Sequence, residues 1–151
     1  MRYGKTVSIK NKSVAPSKKC IQEFVLIEKF GKFRRIFAYF KSELAKVGNN
    51  AKLLPRTFIF CQKSLTCEKV AIGLEQAGIP VIPLSGIRAQ NLREEAIREF
   101  RDNNVSVLTV TDIASRGIDI KDVDVVINFD MPLNYTTYVH RVGRAGRIRN
   151  G

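Results

Sequence analysis

Residues 57–84 read TFIFCQKSLTCEKVAIGLEQAGIPVIPL, and the change of rhythm inside them decides the fold class. Thr57-Phe58-Ile59-Phe60-Cys61 is a short unbroken apolar run, the pattern of a strand buried on both faces. The next stretch has helical rhythm. Ser64 predicts the cap, Leu65, Val70, Ala71 and Leu74 predict the inward face, and Gly78 predicts the stop. Val81-Ile82-Pro83-Leu84 predicts a second strand. Pro83 has no N–H to give a ladder, so that strand is irregular or near an edge.

The same alternation extends outward from this unit. Residues 21–27 are rich in β-formers and predict a strand. Phe30, Phe33, Phe37, Phe40, Leu44 and Val47 recur every three or four residues, one apolar helix face ended by Gly48. Downstream, residues 90–103 predict a helix with Ala96, Ile97 and Phe100 inward. Residues 105–110 and 123–129 predict strands, and Tyr135 opens a last short helix. Strand and helix in alternation imply an α/β domain, a mostly parallel sheet with helices on both faces. Ligands of such sheets bind beyond the carboxyl ends of the strands. The loops after Cys61, Leu84, Val110 and Phe129 are therefore expected to share one functional edge. Residues 1–19 lack periodicity and read as a basic linker or arm, which leaves 20–151 as the domain.

Charge is placed unevenly. The net charge is +12. Arg2, Lys5, Lys10, Lys12, Lys18 and Lys19 precede the first acid, Glu23, and Arg141, Arg144, Arg147 and Arg149 follow the last acid, Asp130. The body between is nearly neutral. Basic clusters of this kind attract nucleic acid or nucleotide phosphates, although a solvated arm is an equally simple reading of the first. No apolar run approaches the ~18 residues of a membrane span, so no membrane partner is expected. Cys20, Cys61 and Cys67 have no zinc-like spacing, and His140 is the single histidine, so no metal site is expected. Free thiols suit a reducing, intracellular compartment.

Two segments carry candidate chemistry. In 138–147, YVHRVGRAGR, three arginines recur at a spacing of three among small residues. Small neighbours let the guanidinium groups converge on one target, and each can grip phosphate oxygens bidentately. An arginine aimed at a γ-phosphate is worth ~10³–10⁵ in rate. The plain alternative is a solvated basic helix end. In 109–120, TVTDIASRGIDI, a strand runs into hydroxyl and small residues and then Arg116-Gly117-Ile118-Asp119. Hydroxyls and amides at a strand end suit phosphate, and Asp119 can accept from ribose hydroxyls. The alternative is that Asp112 caps a short helix while Arg116 and Asp119 pair.

Together these segments resemble motifs V and VI of the DEAD-box RNA helicases. Residues 126–132, VINFDMP, resemble the Vasa-like branch, 58–61 sit where motif IV falls, and Gln90-Asn91-Leu92-Arg93 matches the family's Gln-x-x-Arg. The resemblance spans about residues 20–150 and implies a RecA-like three-layer domain, the C-terminal lobe of an ATP-dependent RNA helicase. It implies that Arg144 and Arg147 are catalytic fingers on the γ-phosphate and that Asp119 holds the ATP ribose. Arg116, His140 and Arg141 would reach across to the front lobe, His140 as an interface histidine rather than a proton shuttle. Gly86, Arg93 and Thr111 would grip RNA phosphates with little base specificity. The implied partners are RNA, an N-terminal helicase lobe in cis and ATP, whose Mg²⁺ the front lobe would hold. The implied location is the cytoplasm, including ribonucleoprotein granules, with the nucleus also open.

Three departures stand out. The family's Leu-His-Gly-Asp is here Leu84-Ser85-Gly86-Ile87, Gln62-Lys63 follows Cys61, and the chain stops at Gly151, where the family adds another strand and helix. The last implies a domain cut short or a sheet with an open edge. The sequence holds no Gly-x-x-x-x-Gly-Lys-Ser/Thr and no Asp-Glu-Ala-Asp run, so the chain alone is expected to be inactive as an ATPase. Two alternatives differ in class. One is a protein-docking module using the helix over 30–47. The other is a stand-alone RNA binder using the basic arm.

Overall fold

A computed structural model describes residues 6–9, 22–25, 31–116, 118, 120, 123–132 and 134–142. Two short strands come first, β1 (Thr6–Ile9) and β2 (Gln22–Val25), paired antiparallel in a sheet of their own. Then follow α1 (Lys32–Lys46), a 3-10 turn (Ala51–Leu53), β3 (Thr57–Phe60), α2 (Ser64–Gln76), β4 (Val81–Leu84), α3 (Gln90–Arg101), β5 (Val107–Val110), α4 (Asp112–Ser115), β6 (Val125–Asn128) and α5 (Tyr135–Val142).

The main sheet has the order β4-β5-β3-β6, and every pairing is parallel. Parallel crossovers are right-handed, which fixes where the helices go. The chain moves outward from β3 through α2 to β4, then back through α3 to β5. Opposite directions with one handedness put α2 and α3 on opposite faces. The two cores follow the strand period of two. Ile59, Cys61 and Val107 pack with α1 and α2 around Phe40, Val70 and Leu74. Phe58, Phe60, Leu108 and Val110 pack with α3 around Ala96 and Phe100. Phe40, Phe58 and Phe100 are fully buried, and each such side chain contributes about 1.5–3 kcal/mol over an exposed one. These layers bear out the α/β expectation of a parallel sheet covered on both faces.

Element ends have local causes. α1 stops where Gly48 and Asn49 take positive φ, and α2 stops at Gly78 with φ +91°. Pro83 is buried in β4, an edge strand of the described sheet, where half the N–H groups face away from the ladder. β6 is the other edge, and its four residues are only half-buried.

Three expectations need correction. Ser64 does not cap α2: it is the first helical residue, and Lys63 sits at the cap without a side-chain hydrogen bond. Leu65 is 61% exposed rather than inward, because the buried stripe runs through Cys67, Val70, Ala71 and Leu74. Among the described residues the strand expected over 21–27, here β2, pairs with β1 and not with the main sheet, and β1 lies inside the stretch expected to be a basic linker or arm. The α1 face that the docking alternative would use is turned inward, as its apolar stripe implies for a core helix. Ile36 and Phe40 are buried in the core, Phe37, Leu44 and Val47 pack against it, and Phe33 meets the Phe129 ring edge-on at 5.1 Å.

Candidate functional site

All four parallel strands point their carboxyl ends the same way, so the loops after β3, β4, β5 and β6 open on one edge, as expected. Two of the helices that leave this edge, α2 and α3, start open. Lys63 precedes α2 and Ala89 precedes α3, and neither gives a side-chain cap. Their first-turn N–H groups are directed at the same rim, where an anion is favoured.

Arg141 organises one half of the edge. It is 2% exposed. Its Nε and Nη2 donate to the two carboxylate oxygens of Asp112 at 2.8 Å each. Its Nη1 donates to Asn128 Oδ1 at 2.9 Å and to the Asp130 carbonyl at 2.7 Å. The guanidinium also lies over the Phe60 ring, 4.9 Å from its centroid. One side chain thus ties α5 to α4 and to the ends of β3 and β6. Asp130 extends the tie, accepting from Lys32 Nζ at 3.0 Å and from the Gln62 amide at 2.8 Å. A guanidinium suits this place because its planar fork offers several fixed donors at once.

Arg141, expected to reach toward another lobe, spends four of its five N–H groups on partners within the domain. Arg116 and His140 are exposed, and with Arg141, Asp112, Ser115, Thr137 and Phe60 they line one cleft of about 250 Å³. The three residues expected to act between lobes are brought together, two at the surface and one beneath them.

The other half of the edge holds Gly86, Arg93 and Thr111. Leu84 and Val110 are register partners, so the loops that follow them leave side by side. Gly86 is exposed, and a Cβ there would come no nearer than 3.9 Å to Ser64 Oγ. Thr111 is 7% exposed and its hydroxyl accepts from the Ala114 amide, capping α4. Asp112, the cap considered from sequence, is instead the first residue of α4 and the partner of Arg141. The Thr111 hydroxyl keeps its own proton to donate. Arg93 is half-buried. Its Nη1 donates to Gln90 Oε1 at 3.3 Å, while its buried Nε has no partner among the described residues. A donor left unsatisfied in this way favours an incoming acceptor. Asp119, Arg144 and Arg147 lie outside the described residues.

Two features escaped sequence reading. One is the Asp112–Asn128–Asp130 surround of Arg141. The other is Glu68, whose carboxylate accepts from Ser85 Oγ at 3.1 Å and bidentately from Arg88, Nε at 2.9 Å and Nη2 at 2.7 Å. The Arg88 hydrogen bonds hold the Glu68 carboxyl below its usual range. Asn128 and Asp130 were visible as polar residues closing a β run. Glu68 gave no signal, because its partners lie 17 and 20 positions away.

Cys61 and Cys67 are buried and free. A hydrogen bond with Cys67, and then burial, push the Cys61 thiol far up. Such thiols are inert packing groups.

The family described as helicase conserved C-terminal domain matches residues 31–149 of the chain. The chain belongs to this family. Among similar proteins is the ATP-dependent RNA helicase DBP2 of Candida albicans, 35% identical over 141 residues, covering 93% of this chain and 24% of that protein. The ATP-dependent RNA helicase glh-1 of Caenorhabditis elegans is 44% identical over 95 residues, 63% of this chain and 12% of that protein. The chain spans about a quarter, or less, of these relatives. The DEAD-box protein SrmB of E. coli, solved bound to the regulator RraA, has a TM-score of 0.68 at 36% identity, over 80% of this chain and 66% of that one. Yeast Dbp5 bound to RNA and ADP BeF3 has a TM-score of 0.63 at 29% identity, over 77% of this chain and 29% of that one. The helicase C-terminal domain seen here is a RecA-like lobe of the DEAD-box kind.

Proposed function

We propose that this domain works as the rear half of an ATP-driven RNA clamp, closing on a front lobe that carries the phosphate cradle. The observation that carries the proposal is the sheet edge itself. One half presents Arg116 and His140 above the buried Arg141 network, and the adjoining half presents Gly86, with the buried Thr111 and the half-buried Arg93, its Nε unsatisfied among the described residues, on the segments beside it. Nucleotide and RNA would then be gripped by neighbouring loops of one sheet, so that closure on one is felt at the other. The RNA grip uses donors suited to phosphate, so binding is expected to weaken steeply with salt.

Within that scheme Arg144 and Arg147 act on the γ-phosphate and Asp119 on the ribose. ATP brings the phosphoryl group, and Mg²⁺ belongs to the front lobe. The pinned Arg141 holds the last turn of α5, three positions before Arg144 in the sequence. The Vasa-like branch and a cytoplasmic, ribonucleoprotein-granule setting belong to the same proposal. The residue string 126–132 and the likeness to glh-1 support the branch. The test is ATP turnover of residues 1–151 alone and of the two-lobe protein, each with and without RNA. Only the two-lobe protein is expected to turn over, and RNA is expected to stimulate it. RNA-stimulated turnover by residues 1–151 alone would overturn the proposal.

A further inference from the structure

We infer that Glu68, which lies on α2 and is bonded to Ser85 and Arg88, is a positioning residue that sets the RNA-facing loop between β4 and α3. The inference rests on the function proposed above and adds a specific device to it.

The loop departs from its family at Ser85 and Ile87, a change that would be expected to leave it slack. It is instead fastened at both ends to one carboxylate. Ser85 is fully buried and donates to Glu68 Oε2, and Arg88 closes a two-pronged ion pair on both Glu68 oxygens. The pair is partly shielded, with side chains 18% and 33% exposed. Between the two fastened residues only Gly86 and Ile87 face outward, Ile87 being 65% exposed. The Ala89 carbonyl, one residue past Arg88, accepts the Arg93 amide. The clamp therefore fixes the Gly86 backbone and the start of the helix that carries Gln90 and Arg93. Three charge-assisted or buried hydrogen bonds on one acceptor hold a short loop well. α2 itself is anchored by Cys67, Val70 and Leu74, and Thr109 of β5 donates to the Cys67 carbonyl at 3.1 Å. The loop is thus referenced to the sheet rather than to solvent.

The test exploits a sign. Glu68→Gln removes one negative charge from a basic chain, so charge alone predicts tighter RNA binding. Glutamine also keeps one acceptor and sets an NH₂ against the Arg88 fork, so a loosened loop predicts weaker binding. Binding of a short fluorescent oligouridylate by residues 1–151 at low salt is the readout. We expect affinity to fall about tenfold, the consequence of losing charge-assisted hydrogen bonds. Amide exchange should quicken at 86–88 and stay unchanged at β5. Ser85→Ala, which removes one bond and no charge, should shift both readouts the same way by less, and it keeps the test open if Glu68→Gln does not fold. Affinity that is unchanged or higher in Glu68→Gln, or exchange at 86–88 that does not move, overturns the inference alone. Absence of any oligouridylate binding by the unaltered chain overturns it together with the RNA half of the proposed function.

Discussion

The Arg141 guanidinium donates four hydrogen bonds while almost wholly withdrawn from water. Removing one member of a buried pair leaves the other charge unpaired, at a cost of about 3–5 kcal/mol. Arg141→Met is expected to lower stability by that order in urea unfolding, and Arg141→Lys to recover little of it, because a point charge cannot reach three acceptor groups in fixed directions. At this residue the structure adds a fold-holding network that the motif reading did not contain. The string 138–147 identified a cluster of arginines, but spacing cannot distinguish an arginine that serves ligand from one that serves the fold. That distinction depends on Asp112 and Asn128, which lie 29 and 13 positions away. Cys61 and Cys67 give a plainer expectation. Thiol reagents should leave both unmodified in the folded chain and label them on unfolding, as measured by mass spectrometry.

Among the elements, those of the main sheet were legible because their strands are continuous apolar runs. β3 and β4 fall within the residues expected of them, and so do α2 and α3. β1 was not, although Thr6-Val7-Ser8-Ile9 alternates polar and β-branched residues, because Gly4 and the surrounding lysines outweighed four positions of pattern. Helix ends were legible where glycine marks them. Gly78→Ala is expected to cost about 1 kcal/mol by thermal unfolding, since alanine at φ +91° is strained even with open space around it. The Glu68 clamp adds a pH dependence. A carboxyl held below its ordinary value of 4.5 contributes stability above that value and loses it as pH falls through the lower folded one. The difference in unfolding midpoint between the native chain and Glu68→Gln should therefore be full at neutral pH and vanish below the usual carboxylate range.

For the whole molecule, the sheet places the Arg141 cleft and the Gly86 loop on one rim, and α2 and α3 brace it from opposite faces. The domain architecture and its functional edge followed from alternation and handedness alone. The assembly of that edge did not, since it depends on polar ties between loops distant in sequence. Under the proposed function Arg141 and Arg147 are separable: the first would hold the lobe together, and the second would act on ATP only when a front lobe closes. The most direct measurement is RNA-stimulated ATP turnover of the two-lobe protein and its Arg147→Ala form, with unfolding midpoints recorded for both. The account predicts that turnover falls by about two decades or more, as loss of an arginine finger should give, while the midpoint holds. Turnover indifferent to Arg147, or absent in the unaltered two-lobe protein, would contradict it.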